Sequence, residues 1–259
     1  FNFIHERKIV MNPIIEYYNK IKSGEIIANK KITAVYKHLV EDVINNPDSP
    51  YIYDEAKANK PIEFIERFCK LPKKPRGEDS IKLMLWQKAM IASIFGIVHK
   101  KTGLRKHKEL AFFVARKNAK TGIVACMLLY ILFCEPDEGK QIVSSATTKE
   151  QAKLVWNDAI AMIKKNPDLA ELINITVSSM RFDYTNSFFK PVASESNTLD
   201  GYDLTAFCLD EVHEVRDTNM YDVLKDSQIA RKEPLAFLTS TMGFLRNSLF
   251  DTLYERYEI

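Results

Sequence analysis

Three short stretches carry side chains whose types and spacing could do chemistry. In ARKNAKTG, residues 115–122, Lys120 and Thr121 stand between the apolar runs LAFFV and IVACMLLYILF. At a strand-to-helix turn, backbone N–H groups and the helix dipole can hold phosphate oxygens. Lys120 would then neutralise β- and γ-phosphates and the Thr121 hydroxyl would ligate magnesium, as those positions do in the pattern G-x-x-x-x-G-K-[ST]. Both glycines of that pattern are missing, with Val114 and Ala119 in their places, so an ordinary turn with basic surface residues stays open. In AFCLDEVHE, residues 206–214, an apolar strand ends in two adjacent carboxylates. That is a costly arrangement without a cation or hydrogen-bond donors. Asp210 could hold a magnesium shell and Glu211 could orient and deprotonate an attacking water; a helix-start acidic pair is the plainer alternative. His213 and Glu214 do not have the spacing of H-E-x-x-H, which argues against a zinc protease. In AFLTSTMG, residues 236–243, another apolar strand ends in Thr239, Ser240 and Thr241. Their hydroxyls could relay the state of a γ-phosphate through hydrogen bonds, or could simply make a turn.

The elements that must position these groups follow from periodicity. Helical spacing in IIEYYNKIKSG and ITAVYKHLVEDVI makes residues 10–70 mostly helical, with Gly24 and NNPDSP as stops. The stretch KLPKKPRGEDS, residues 70–80, has the proline, glycine and charge of a linker or exposed loop. A helix is expected over LMLWQKAMIASIFGIV, then the strand ELAFFVA, a helix from Thr121 to Phe133, the strand QIVSSA and the helix TKEQAKLVWNDAIAMIKK. A strand or hairpin region follows in INITVSSMRFDYTNSFFKPVAS, then the strand LTAFCLDE, a helix near NMYDVLKDSQIA and the strand PLAFLTST. Alternating helices and buried apolar strands imply an α/β fold with a mostly parallel sheet flanked by helices, preceded by an N-terminal helical region. All three motifs then fall at the carboxyl ends of strands, where such sheets bind ligands. The division expected is an N-terminal helical region, 1–78, packing on a core, 79–259.

Composition bounds the rest. With 259 residues, 46% hydrophobic and 27% charged, the chain can bury a substantial core. The longest apolar run, residues 123–133, is too short to cross a bilayer, and FNFIHERKIVMNP lacks the basic-then-apolar order of a secretory signal, so a cytoplasmic location is expected. Met11 is a candidate native start. The four cysteines form no C-x-x-C pair and are expected as reduced core thiols. Charge is uneven: residues 1–122 hold 24 Lys/Arg against 13 Asp/Glu, whereas residues 123–259 hold 13 against 21. The basic half suits an anionic partner, and its densest run, KKTGLRKHK from Lys100 to Lys108, could meet a DNA backbone or simply face water.

Taken together, LWQKAMI, ARKNAKTG, IVSSATTKEQAKLVW, DGYDLTAFCLDEVHE and RKEPLAFLTST resemble the ATPase domain of the large terminase subunit of tailed bacteriophages, over roughly residues 80–245. The resemblance implies a P-loop NTPase of the additional-strand, catalytic-glutamate type that hydrolyses ATP with magnesium to drive double-stranded DNA into a procapsid in the infected bacterial cell. It implies backbone contact with DNA, partners in the portal or procapsid and the small terminase subunit, and a ring of copies when assembled but a monomer in isolation. The family's C-terminal nuclease would need more chain than remains before Ile259, so an ATPase-domain fragment is expected. Carried over residue by residue, Gln87 would recognise adenine, and Arg116, Lys117, Asn118, Ala119, Lys120, Thr121 and Gly122 would form the nucleotide loop. Thr121 and Asp210 would hold magnesium, Glu211 would be the catalytic glutamate, and Thr239, Ser240 and Thr241 would be the coupling motif. Arg116 would stabilise transition-state charge beside Lys120, and Arg231 is a second arginine that would sense the γ-phosphate or reach a neighbouring subunit.

Ala119 departs from the family, which usually has glycine before the lysine. If the loop requires a positive φ there, alanine costs roughly 1–2 kcal/mol of strain, and at any φ its methyl group narrows the approach to phosphate. It is either a tolerated variant or an engineered change. Two other classes stay open: a superfamily 2-like DNA helicase or translocase domain, and a non-catalytic scaffold for DNA or capsid partners with an impaired nucleotide loop.

Overall fold

The computed structural model describes residues 12–258 apart from 76, 194–200, 217 and 242–247. Met11, and Met242 and Gly243 of the third motif, lie outside the described residues. Contacts divide the chain into two units, one of Phe1–Glu63 with Lys82–His107 and one of Phe64–Ile81 with Lys108–Ile259.

The first unit begins with α1 (Pro13–Lys22), where Asn12 caps the helix by accepting from the Ile14 N–H at 2.9 Å and Pro13 opens it. Helix α2 (Lys30–His38) is capped in the same way by Asn29 and runs on into a wider π-helical stretch, Leu39–Ile44, that buries Leu39, Val40 and Val43. Strand β1 (Tyr51–Tyr53), the first part of α3 (Glu55–Phe68), α4 (Leu85–Gly96) and β2 (Ile97–His99) complete it. The expected helix over residues 83–98 stops at Gly96, because the next three residues pair antiparallel with β1. Gly96 is where α4 meets α3: a Cβ there would stand 2.6 Å from the Ala58 Cβ. The pairing of β1 with β2 and the packing of α4 on α1 put residues 82–107 with the first helices, so these units run differently from a boundary at residue 78.

The second unit is built from β3 (Glu109–Phe113), α5 (Lys120–Cys134), β4 (Gln141–Ala146), α6 (Lys149–Lys165), α7 (Pro167–Ala170), β5 (Asn174–Ile175), β6 (Met180–Phe182), β7 (Ser187–Ala193), β8 (Leu204–Leu209), α8 (Asn219–Asp226), β9 (Leu235–Ser240) and α9 (Leu249–Glu258). Its sheet has the order β3-β9-β8-β4-β7-β6-β5. The five strands from β3 to β7 are parallel, and β6 and β5 extend the sheet as an antiparallel edge. Every residue of β8 and β9 is buried, which is why these strands read as unbroken apolar runs. Helix α5 is apolar all round and almost wholly buried. The mostly parallel sheet flanked by helices is the expected α/β class, and β9 is the additional strand, lying between the strand of the first motif and the strand of the second.

The segment 70–80 is a closed loop rather than a free linker. Lys70 and Ser80 bridge, Leu71 N–H donates to Asp79 O at 2.6 Å, and the Lys165 ammonium donates to the carbonyls of Leu71 and Lys74. Cys69, Cys126 and Cys208 are buried free thiols as expected, whereas Cys134, at the last residue of α5, is exposed.

Candidate active site

Strands β3, β9 and β8 are parallel neighbours, so the chain leaves all three at one edge of the sheet. There the loop after β3 bends through two left-handed residues, Lys117 at φ 68° and Ala119 at φ 56°. The bend lets α5 start at Lys120, with Ala119 as its N-cap residue. Lys120 is 9% exposed. Its Nζ lies 2.9 Å from Asp210 Oδ1 and 2.7 Å from Glu211 Oε1. Burial works to lower the pKa of this ammonium, but the two carboxylates outweigh it and hold the pKa raised.

Asp210 is 2% exposed, and burying its charge is tolerable only because Oδ1 gathers several donors. Besides Lys120 it accepts from the Thr239 hydroxyl and from the Glu211 N–H at 3.0 Å. The Asp210 N–H in turn donates to Ser145 O at 2.8 Å, tying the end of β8 to β4. Glu211 takes a left-handed conformation, φ 52° and ψ 50°, which is uncommon for a side chain of its size. That turn aims its carboxylate back at Lys120. Glu211 Oε2 is buried and has no hydrogen-bond partner among the described residues; His213 Nδ1 is 3.2 Å from it.

Thr121 and Gly122 lie half-buried in the first turn of α5, and Arg116, Lys117 and Asn118 are exposed on the loop. Asn118 braces the loop by donating to Ala115 O at 2.9 Å. Of the third motif, Thr239 reaches Asp210 directly, while the buried Ser240 hydroxyl donates to Thr241 O at 2.8 Å. Gln87 belongs to the other unit, where it is buried and its Oε1 accepts from Met84 N–H at 2.8 Å, closing the start of α4.

Arg231 is not brought to this edge. It precedes β9, and six extended residues carry the chain about 20 Å, so it lies beyond the amino ends of the strands. There it donates to Gly139 O at 2.8 Å and to Asp203 O at 3.0 Å, and pairs with the Asp203 carboxylate. Backbone carbonyls already engage this guanidinium, so a γ-phosphate sensor is not its place in this chain. The basic run Lys100–Lys108 is partly folded inward: Arg105 is buried over the Phe95 ring, and Lys106 lies 5.4 Å from the Tyr51 ring centroid.

His213 enters this site by a contact that sequence reasoning missed. Its Nδ1 is 2.8 Å from Ser240 Oγ, a pairing of residues 27 apart that only the adjacency of β8 and β9 creates. The available signal was its place two residues after Glu211.

The polar side chains here are of the kind a hard divalent cation takes. One carboxylate and one hydroxyl, Asp210 and Thr121, are hard oxygen donors for an ion that keeps much of its water shell, and no three His, Cys, Asp or Glu gather to hold a metal alone among the described residues. The unpartnered Glu211 Oε2 is an acceptor suited to a water molecule.

A family model, the ATPase domain of the terminase large subunit, matches residues 85–258. The large terminase subunit of Enterobacteria phage HK97 is 32% identical over 194 residues, covering 73% of this chain and 37% of that protein. The crystal structure of the HK97 bacteriophage large terminase is similar with a TM-score of 0.67 at 30% identity, over 77% of this chain and 41% of that one. The chain therefore spans well under half the length of these relatives.

Proposed function

Because the chain belongs to the family of the terminase large-subunit ATPase domain, we propose that it is the ATP-hydrolysing part of a viral DNA-packaging motor. The observation that carries this reading is the meeting of the Lys120 ammonium with the carboxylates of Asp210 and Glu211 at the carboxyl edge of the sheet. In this arrangement Lys120 is neutralised by carboxylates of its own chain. Triphosphate exchanges one set of negative oxygens for another, so the ammonium turns to the β- and γ-phosphates and Glu211 is released to work as a base. The N–H groups at the start of α5 and the helix dipole hold the phosphates, and exposed Arg116 neutralises charge that develops on the γ-phosphoryl oxygens.

Thr121 and Asp210 would hold magnesium, which would supply charge neutralisation at the phosphates. Glu211 orients a water and takes its proton at the carboxylate, while Thr239 keeps Asp210 turned toward the pocket. The partners that follow are double-stranded DNA held by its backbone, a portal or procapsid, the small terminase subunit, and further copies of the chain in a ring. The setting is the infected bacterial cytoplasm; no helix among the described residues is long and apolar enough to cross a membrane.

Magnesium-dependent ATP hydrolysis by this chain and by its Glu211→Gln variant tests the reading, with an expected loss of roughly 10²–10⁴-fold in turnover and nucleotide binding retained. Equal silence of both proteins, with DNA still bound, would leave a non-catalytic scaffold. Stimulation by assembled procapsid rather than by DNA alone separates a packaging motor from a helicase.

A further inference from the structure

The hydroxyl motif at the end of β9 and the carboxylate of Glu211 both lie beside one imidazole ring. His213 sits in the short 3-10 turn Val212–Glu214, directly after Glu211, with its side chain 15% exposed. Its Nδ1 is 2.8 Å from Ser240 Oγ and 3.2 Å from Glu211 Oε2. The Ser240 hydroxyl donates to Thr241 O at 2.8 Å, which leaves the lone pairs of Ser240 Oγ to accept from the ring. The His213 backbone N–H already donates to that same oxygen at 3.3 Å. One tautomer meets both neighbours: with the proton on Nδ1 the ring donates toward Ser240 Oγ while the Ser240 hydroxyl keeps Thr241 O. Glu211 Oε2, the competing acceptor, is buried and has no hydrogen-bond partner among the described residues. On the far side of the ring, Nε2 faces Glu214 Oε1 at 3.9 Å, and the other oxygen of Glu214 is 3.3 Å from Thr147 Oγ1.

We infer that His213 is a positioning residue whose Nδ1–H passes between Ser240 Oγ and Glu211 Oε2, and so connects the state of the proposed catalytic carboxylate to the end of β9. This rests on the hydrolytic reading above. With Lys120 on Glu211, the carboxylate is neutralised through Oε1 and the ring serves Ser240 at the shorter distance. When a triphosphate draws Lys120 away, Glu211 keeps its charge and loses its cation. A charge-assisted bond from Nδ1 to Oε2 then outcompetes the neutral bond to a hydroxyl. The ring proton turns to Glu211, orienting that carboxylate for the water it serves, and Ser240 loses its side-chain donor.

The test compares His213→Ala, His213→Asn and Glu211→Gln with the parent chain in single-turnover ATP hydrolysis, fluorescent-nucleotide binding and thermal unfolding. His213→Ala is expected to slow the chemical step about 10- to 100-fold, the scale of a misplaced reacting group, while nucleotide affinity changes little. His213→Asn, whose amide nitrogen falls near the Nδ1 position, should recover most of the rate. Alanine and asparagine variants impaired alike, or losing rate only in proportion to nucleotide affinity and melting temperature, overturn the inference. If Glu211→Gln abolishes turnover while His213→Ala hydrolyses at the parent rate, this inference alone fails; if Glu211→Gln hydrolyses normally, or the parent chain does not hydrolyse at all, the underlying reading fails with it. A readout independent of turnover is the ¹⁵N-histidine spectrum. The Nδ1–H tautomer is expected, with its Nδ1 resonance moving when magnesium and a non-hydrolysable ATP analogue are added. An Nε2–H tautomer, or an Nδ1 resonance that does not respond, overturns it.

Discussion

Ala119 holds a backbone conformation that its side chain disfavours, φ 56° and ψ 23°. Replacing it with glycine removes a left-handed penalty of roughly 1–2 kcal/mol, offset by about 0.5–1 kcal/mol from the greater freedom of the unfolded glycine chain. Ala119→Gly is therefore expected to stabilise the chain by about 0.5–1 kcal/mol, a rise of about 2 °C in Tm for a chain of this size, and to tighten ATP binding. Unchanged affinity, turnover and melting temperature would remove the steric reason. This penalty was legible in the sequence, because a missing glycine before a lysine marks the position. The carboxylates were legible too, since an apolar strand rarely ends in Asp-Glu without a purpose. The left-handed turn at Glu211 was not, as nothing in DEVHE marks a positive φ. As a γ-phosphate sensor Arg231 misled for a simple reason: nearness in sequence to a strand motif is distance in space when the strand lies between them.

At the scale of elements, buried strands and the core helix α5 declare themselves as apolar runs bounded by turns. The end of α4 does not, because IASIFGIV is apolar through both the helix and the strand that follows. Only the pairing of Ile97–His99 with Tyr51–Tyr53 ends the helix, and that partner is too remote in sequence for periodicity to reveal. Gly96 tests the packing this creates. A Cβ at that position would meet the Ala58 Cβ at 2.6 Å and the Ala58 Cα and Asp54 O at 3.2 Å, so Gly96→Ala is expected to destabilise by about 1–3 kcal/mol. Denaturant unfolding measures the loss. Combining it with Ala58→Gly should recover part of it by removing the nearest obstacle, and a double variant no better than the single one would place the strain elsewhere.

For the whole molecule, acid stability should depend on His107. Burial, with Lys106 and His38 adding repulsion, lowers its pKa to about 4, and its Nε2 is buried without a hydrogen-bond partner among the described residues. The fold therefore binds this proton more weakly than the unfolded chain does. The stabilisation is complete above the ordinary histidine pKa of about 6.5 and is lost as pH falls toward 4, on the order of 3 kcal/mol at most. Unfolding followed between pH 7 and 4 should show that slope, and His107→Gln should flatten it; equal slopes would exclude His107 as the cause. The proposed DNA binding through phosphates should weaken steeply between about 50 and 200 mM salt, and an affinity indifferent to salt would contradict backbone contact. The position of β9 bears on how force could travel. The strand leading to Lys120 and the strand ending at Asp210 share no ladder of their own; each is zipped to an opposite edge of β9. Any sliding of one against the other has to shear that crosspiece, so on the proposed motor reading β9 is the beam that would carry the load.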